Sequence, residues 1–293
     1  MRKPRIGLAL GSGSSRGWAH IGAIRALEAR GVKPDLVCGT SIGALVGGIY
    51  ASGQLDALEG WVTQLAWGDV VRLMDLTWKG GLIRGQRLFD LFRTMFEERE
   101  FGELDIRFGC IATELASGRE IWLQRGKLLD AVRASIATPG LFTPVVRDGE
   151  VLVDGGLVNP VPVSMCRAFG AEIVIAVDLS WGKLGPYRNM PRDVAPAAAP
   201  GLLERLRSGW LGGEAKKGAQ PAVPSIFEVF TTALDIVEQR VARSRLAGEP
   251  ADVLVTPLLP DFHSMEYHRA AEAIAEGRAA VERMMPLIEQ VVR

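Results

Sequence analysis

Histidine and cysteine are scarce in this 293-residue chain, three of each, and neither sign of charge is in excess. Lys+Arg and Asp+Glu each number 34, so a nucleic-acid backbone would meet no basic field. Cys38, Cys110 and Cys166 are far apart and form neither a metal pattern nor a disulfide framework. Each lies in an apolar stretch and reads as a core residue in a reducing compartment. No run approaches the ~18 apolar residues of a membrane span. The start MRKPRIGLALG carries positive charge, but its apolar run, Ile6 to Leu10, is too short for a signal-peptide core. A cytoplasmic location is therefore expected, with peripheral contact at the inner face of a membrane as its extension. No internal repeat is visible. A hydrophobic share of 48% and a mean hydropathy of +0.15 set disorder aside.

Against this background the pentapeptide Gly39-Thr40-Ser41-Ile42-Gly43 stands out. It sits between an apolar run, Leu36-Val37-Cys38, and a small-residue stretch, Ile42 to Ala51, that reads as a helix packed tightly on a sheet. G-x-S-x-G on a strand-to-helix turn holds a serine in a strained conformation with its hydroxyl exposed. Gly39 and Gly43, lacking a Cβ, leave room for backbones to cross. In another setting the same pattern is only a tight turn with a serine in it.

A second glycine-rich loop lies upstream. Arg5 to Leu10 reads as a buried strand and runs into Gly11-Ser12-Gly13-Ser14-Ser15-Arg16-Gly17. A helix follows to Arg30, with Ile21, Ile24 and Leu27 on one stripe. Such a loop presents free amides at a helix N-terminus, which suits an anion. The loop has no G-K-[ST] ending, and Arg16 takes the place of a third glycine in G-x-G-x-x-G, so nucleotide phosphate is disfavoured. An oxyanion hole needs only donors aimed near a nucleophile. The plain alternative is a turn with Arg16 in a surface ion pair.

A serine hydroxyl needs a base. His20, on the first helix, reads as structural. His263 and His268 follow the aspartates, so a Ser…Asp…His order is available. Glu150 to Val153 reads as a strand, and Asp154-Gly155-Gly156 follows, which places a carboxylate at a strand end; Asp-Gly is also an ordinary hairpin signal.

Taken together, GSGSSRG at 11–17, GTSIG at 39–43 and DGG at 154–156 resemble the patatin-like phospholipases. Arg133-Ala134-Ser135 through Pro139-Gly140-Leu141-Phe142-Thr143-Pro144 agrees, as does Gly156-Leu157-Val158-Asn159-Pro160-Val161-Pro162. The order and spacing are close to small bacterial RssA-type members, and the resemblance covers nearly the whole chain. It implies a lipid acyl ester as substrate and a dyad of Ser41 as nucleophile and Asp154 as base, with no histidine; no cofactor and no metal are expected. It places the oxyanion hole at Gly11, Gly13, Ser14 and neighbouring amides, with Ile42 adding its N–H. Arg16, Gly17, Gly39, Gly43, Gly155 and Gly156 would support these motifs. The family's loop usually has glycine where this chain has Ser12. An unperturbed aspartate is a poor base, with a pKa near ~3.9. Burial raises it, and the apolar Val151-Leu152-Val153 flank fits a dry site.

Strand-like runs at 5–10, 35–38, 108–114, 120–123, 150–153, 172–178 and 252–256 alternate with helix-like ones. The latter fall at 17–30, 42–52, 84–96, 127–135, 161–169, 226–247 and 265–290. This predicts an α/β fold, a three-layer α/β/α sandwich with a mostly parallel central sheet, in one domain over 1–293. Phe230, Leu234, Val237 and Val241 are expected as a core stripe on the penultimate helix. Trp181 to Pro224 breaks the pattern with six prolines, seven glycines and a charge of +4. It reads as a surface excursion, or as a basic, Trp-bearing element that touches lipid. Three functions compete: a serine hydrolase of lipid esters, a lipid-sensing regulatory protein on the same fold, and a nucleotide-binding protein.

Overall fold

The structure, a computed structural model, describes residues 2–73, 84–181 and 226–293. Apart from Trp181, the Pro/Gly-rich excursion expected at 181–224 lies outside them. In chain order the elements are β1 (Ile6–Leu10), a 3-10 turn (Ser14–Trp18), α1 (Ala19–Ala29), β2 (Leu36–Thr40) and α2 (Ile42–Ala51). Next come α3 (Leu55–Val62), α4 (Trp67–Leu73), α5 (Gln86–Met95), β3 (Arg107–Glu114), β4 (Glu120–Leu123) and α6 (Leu128–Ser135). Then follow β5 (Val145–Arg147), β6 (Glu150–Asp154), a 3-10 turn (Gly155–Leu157), α7 (Val163–Ala168) and β7 (Ile173–Val177). The last described part holds α8 (Ile226–Gly248), β8 (Val253–Val255), a 3-10 turn (Tyr267–Arg269) and α9 (Ala270–Val292).

Five strands run parallel in the order β3-β2-β1-β7-β8. β4 and β6 join β3 antiparallel, and β5 joins β6. β1, β2 and β7 are buried along their whole length, as parallel strands covered on both faces must be. Their side chains alternate between two cores with the period of two that a strand imposes. Ile6, Leu8, Leu10, Val37, Ile175 and Val177 face the core shared with α1, α2, α6 and α9. Ala9, Leu36, Cys38, Val174 and Ala176 face the other, with Met165 and Cys166 of α7 and Ala242 of α8. This is the expected three-layer arrangement. The three cysteines are free and buried, as expected.

Two differences from the sequence reading matter. The helices over 55–62 and 67–73 were not expected, and both border the site. The core stripe on the penultimate helix is a correction: Phe230 and Val237 are 41% and 46% exposed, while Glu238, Gln239 and Ala242 face inward. Polar partners turn the helix this way. Gln239 Nε2 donates to the Ser180 carbonyl at 2.9 Å, and Glu238 accepts from Ser12. An apolar period alone could not reveal partners on other elements.

The long helices α1 and α9 cross at two glycines. A Cβ on Gly22 would collide with the Ile274 carbonyl, and one on Gly277 with the Ala19 carbonyl. Both obstacles are backbone, so neither can swing aside. Gly22→Ala or Gly277→Ala is expected to cost about 2–3 kcal/mol, as overpacking does. The melting temperature should then fall by roughly 5–10 °C. A variant melting with the wild type would show that the crossing can open without cost.

Candidate active site

The sheet brings two chain segments end to end. β2 pairs with residues 107–111 of β3, Thr40 opposite Ile111. β6 pairs with residues 112–114, Asp154 opposite Ala112. β4 takes residues 110–113, overlapping both. A strand has only two edges, so β2 and β6 share the one that β4 leaves. The end of β2 therefore points at the end of β6, and Ser41 follows Thr40 directly into that meeting.

Ser41 has φ 55° and ψ −123°, a left-handed conformation that L-residues avoid. Several contacts hold it there. Its amide donates to Ser135 Oγ at 2.9 Å, and that hydroxyl donates to the Ile111 carbonyl at 2.6 Å. Thr40 Oγ1 donates to the Asn159 carbonyl at 2.8 Å. A Cβ on Gly39 would strike the Gly43 carbonyl, and one on Gly43 would strike that of Leu10. Both glycines are thus required by the crossing of backbones. All ten residues of α2 are buried, which fits a helix apolar on every side.

Ser41 Oγ donates to Asp154 Oδ2 at 2.7 Å. Thr138 Oγ1 donates to the same oxygen at 2.7 Å, and the Gly156 amide donates to Oδ1 at 2.8 Å. Asp154 is 1% exposed. Burial raises its pKa to about 6, and the charge of Glu238 adds to the rise; the bonds from Thr138, Gly156 and Ser41 pull it down. A carboxylate so placed can accept a hydroxyl proton at neutral pH.

The upstream loop lies over the elbow, where a Cβ on Gly43 would also meet the Gly11 carbonyl and one on Gly17 would strike the Ile42 side chain. Among the described residues the amides of Gly13, Ser14 and Ile42 have no hydrogen-bond partner. Gly11 is a correction. Its amide donates to the Val177 carbonyl at 3.0 Å, so it has no donor left for an oxyanion. Ser12 is likewise engaged, with the Pro160 carbonyl at 2.8 Å. Ser14 has φ 52°. Arg16 does not form the alternative surface ion pair. It is 3% exposed and donates through Nη2 to the Phe262 carbonyl. Desolvation lowers its pKa, and Asp235, Glu266 and Glu238 oppose this. Gly155 packs on the Ile111 carbonyl and Gly156 between two carboxylates.

Ser41, Ser14 and Ile42 open onto one apolar pocket. Trp18, Leu45, Trp61, Phe92, Ile136 and Phe142 wall it, and Thr138 and Tyr267 add polar edges. Trp18 meets Trp61 and Tyr267 edge-on, and Trp61 meets Phe92, so the wall is a connected aromatic stack. No cation lines it. Tyr267 bonds to Ser14, and burial with the charge of Asp154 raises its pKa.

None of the three histidines bonds to Ser41. His20 is fully buried, with Nε2 against the Gly11 carbonyl at 2.7 Å, and burial lowers its pKa to about 4. His268 stacks edge-on against Trp67. His263 supplies backbone groups to Ser15 and Glu266. Sequence reasoning missed Thr138, Tyr267 and Glu238 as site residues. Thr138 lay inside the stretch 133–144 that carried the resemblance, though nothing singled it out. Among the described residues no cluster of His, Cys, Asp and Glu could hold a metal ion. No helix there is long and apolar enough to cross a membrane.

An elbow serine bonded to a buried carboxylate beside an apolar pocket defines a class, the serine-type acyl hydrolases. The sequence profile described as "Patatin-like phospholipase" matches residues 8–167. The chain belongs to the patatin-like phospholipase family and is a lipid acyl hydrolase. An uncharacterised NTE family protein of Mycobacterium tuberculosis is 34% identical across 98% of this chain and 92% of its own length. A lysophospholipase of Pyricularia oryzae is 30% identical over 93% of this chain but only 18% of its own length. VipD from Legionella pneumophila superposes with a TM-score of 0.58 at 14% identity, over 99% of this chain and 67% of that one, a likeness of fold.

Thr138 offers a test of the electrostatics. Its hydrogen bond favours ionised Asp154, so Thr138→Val should raise that pKa further. Hydrolysis that needs the carboxylate should then lose activity at a higher pH than in the wild type, by about half to one unit. An acid limb unchanged in position would show that Asp154 does not govern it.

Proposed function

We propose that this protein hydrolyses the acyl ester of a phospholipid or lysophospholipid through Ser41 and Asp154, with no histidine in the reaction. The observation that carries the reading is the 2.7 Å hydrogen bond from Ser41 Oγ to Asp154 Oδ2 at the edge of an apolar pocket. Ser41 Oγ attacks the ester carbonyl as its proton passes to Asp154. The oxyanion faces the amides of Gly13, Ser14 and Ile42, which need no reorganisation to receive it. As the intermediate collapses, Asp154 returns the proton to the departing alcohol. Water then attacks the acyl-serine, again giving its proton to Asp154, and the fatty acid leaves. The apolar pocket takes the acyl chain. The lysophospholipases among the relatives support a single-chain substrate. Such a substrate is drawn from a membrane, so peripheral contact belongs to the proposal.

Ser41→Ala should abolish ester hydrolysis and fluorophosphonate labelling, a loss of at least about 10³-fold in kcat, without shifting the melting temperature. Labelling that persists on another serine would sink the assignment.

Asp154→Asn keeps shape and removes the proton acceptor, so turnover should fall about as far. His263→Ala and His268→Ala should keep most activity. In a triad the histidine and serine act as a unit, and its loss is as damaging as that of the serine. A folded histidine variant as inactive as Ser41→Ala would overturn the dyad.

A further inference from the structure

α8 brings a second carboxylate to the site. Glu238 is 9% exposed, and its Oε2 accepts from Ser12 Oγ at 2.9 Å. Gly156 lies between it and Asp154. The point that a Cβ on Gly156 would occupy lies 2.8 Å from Glu238 Oε1 and 3.2 Å from Asp154 Oδ1.

Two buried carboxylates this close repel, and such pairs persist only with compensation. Arg16 faces Glu238 from the loop, with Asp235 one turn earlier on α8 and Glu266 also near it. The arrangement is therefore a chain running from Ser41 through Asp154 to Glu238, then to Ser12 and Arg16 of the loop over the elbow.

We propose that Glu238 is a positioning residue of this hydrolase: it holds a second carboxylate on the Oδ1 side of Asp154, opposite the oxygen that receives Ser41, and ties that carboxylate through Ser12 to the loop at 11–17. The consequence is a stronger base at Asp154. The inference rests on the reading of Asp154 as the base.

The groups that face Asp154 are Ser41, Thr138, the Gly156 amide, Glu238 and Tyr267. Ser12, Arg16 and Asp154 are among the groups that face Glu238. Among them only Glu238 adds negative charge beside Asp154. Burial is the larger cause of the raised Asp154 pKa and Glu238 the second.

Glu238→Gln keeps an oxygen for Ser12 and removes the charge. Its acid limb for hydrolysis of a soluble ester should move toward acid by about one pH unit, a part of the rise from 3.8 to about 6 that burial and Glu238 produce together. The kcat at neutral pH should fall a few-fold, because a weaker base abstracts the proton. Ser12→Ala breaks the tie and keeps the charge, so it should lower kcat and leave the limb in place. A structural role alone would lower rate or stability in Glu238→Gln without moving the limb. That result, or a shift toward neutral pH, overturns the inference.

Asp154→Asn serves as the control for the underlying reading. If it hydrolyses the ester like the wild type, the base has been misassigned, and the decision on Glu238 passes to a readout without substrate. Asp154 titrates near 6 in the fold against an ordinary 3.8. The folded state therefore binds more protons in that window, so stability is highest below it and is lost as pH rises through about 6. In Glu238→Gln this loss should shrink. Melting temperatures that run parallel in the two proteins from pH 4 to pH 7 overturn the inference whatever the hydrolysis assay gives. Should Glu238→Gln not fold, Glu238→Asp withdraws the charge by one methylene and must move the limb in the same direction by less; an unmoved limb has the same meaning.

Discussion

The meeting of β2 and β6 on one edge of β3 is the constraint on which the rest of the site depends. It places a serine and an aspartate 113 residues apart at hydrogen-bond distance without any flexible arm between them. Both side chains leave the sheet from strand ends, so their separation is set by β3's ladder. Ser135 reinforces the junction by bonding the Ser41 amide to the Ile111 carbonyl of the same strand. Strain at Ser41, of order 1–3 kcal/mol, persists because these ties and the glycine crossings leave the chain no easier path.

Burial is the second condition, and it acts in two ways at once. It makes the pocket hospitable to an acyl chain and removes water from Asp154. An exposed aspartate would stay ionised yet have little appetite for a proton. Drying it raises the pKa into the range where acceptance and return are both accessible. The hydrogen bonds from Thr138 and Gly156 keep the rise in check, so the carboxylate still ionises near neutrality. A histidine base reaches this range unaided, whereas an aspartate needs the protein around it.

The fold and the elbow serine were legible because local signals carry them, whereas Asp154 stood out only through the resemblance, since Asp-Gly is also a plain hairpin signal. Buried parallel strands read as continuous apolar runs, and the elbow declares itself by glycines flanking Ser41 in a strand-to-helix setting. What was not legible depends on contacts between distant segments. Gly11 belongs to the glycine-rich loop, but its amide is committed to Val177, a partner 166 positions away. Glu238 sits beside apolar residues whose period suggested a core stripe; its inward side is chosen by Ser12, 226 residues earlier. Short helices at 55–62 and 67–73 lacked a long enough period to be distinguished, though they shape the pocket.

The loop at 11–17 shows how these layers join. Its path is fixed at one end by Gly11 bonding to β7, and His20 holds the Gly11 carbonyl from α1. Ser15 Oγ reaches the His263 carbonyl and Arg16 the Phe262 carbonyl, so the segment before α9 clamps the other side. Tyr267 of that same segment bonds Ser14. The loop is thus gripped by β7, α1, α8 and the 262–267 segment, while the amides of Gly13 and Ser14 stay free of them. A donor group works on a developing charge only if it is already in place and not already bonded. Fixing the loop by its neighbours' side chains and by the flanking amides, and leaving these two without an acceptor among the described residues, fits both conditions of the proposed oxyanion hole within seven residues.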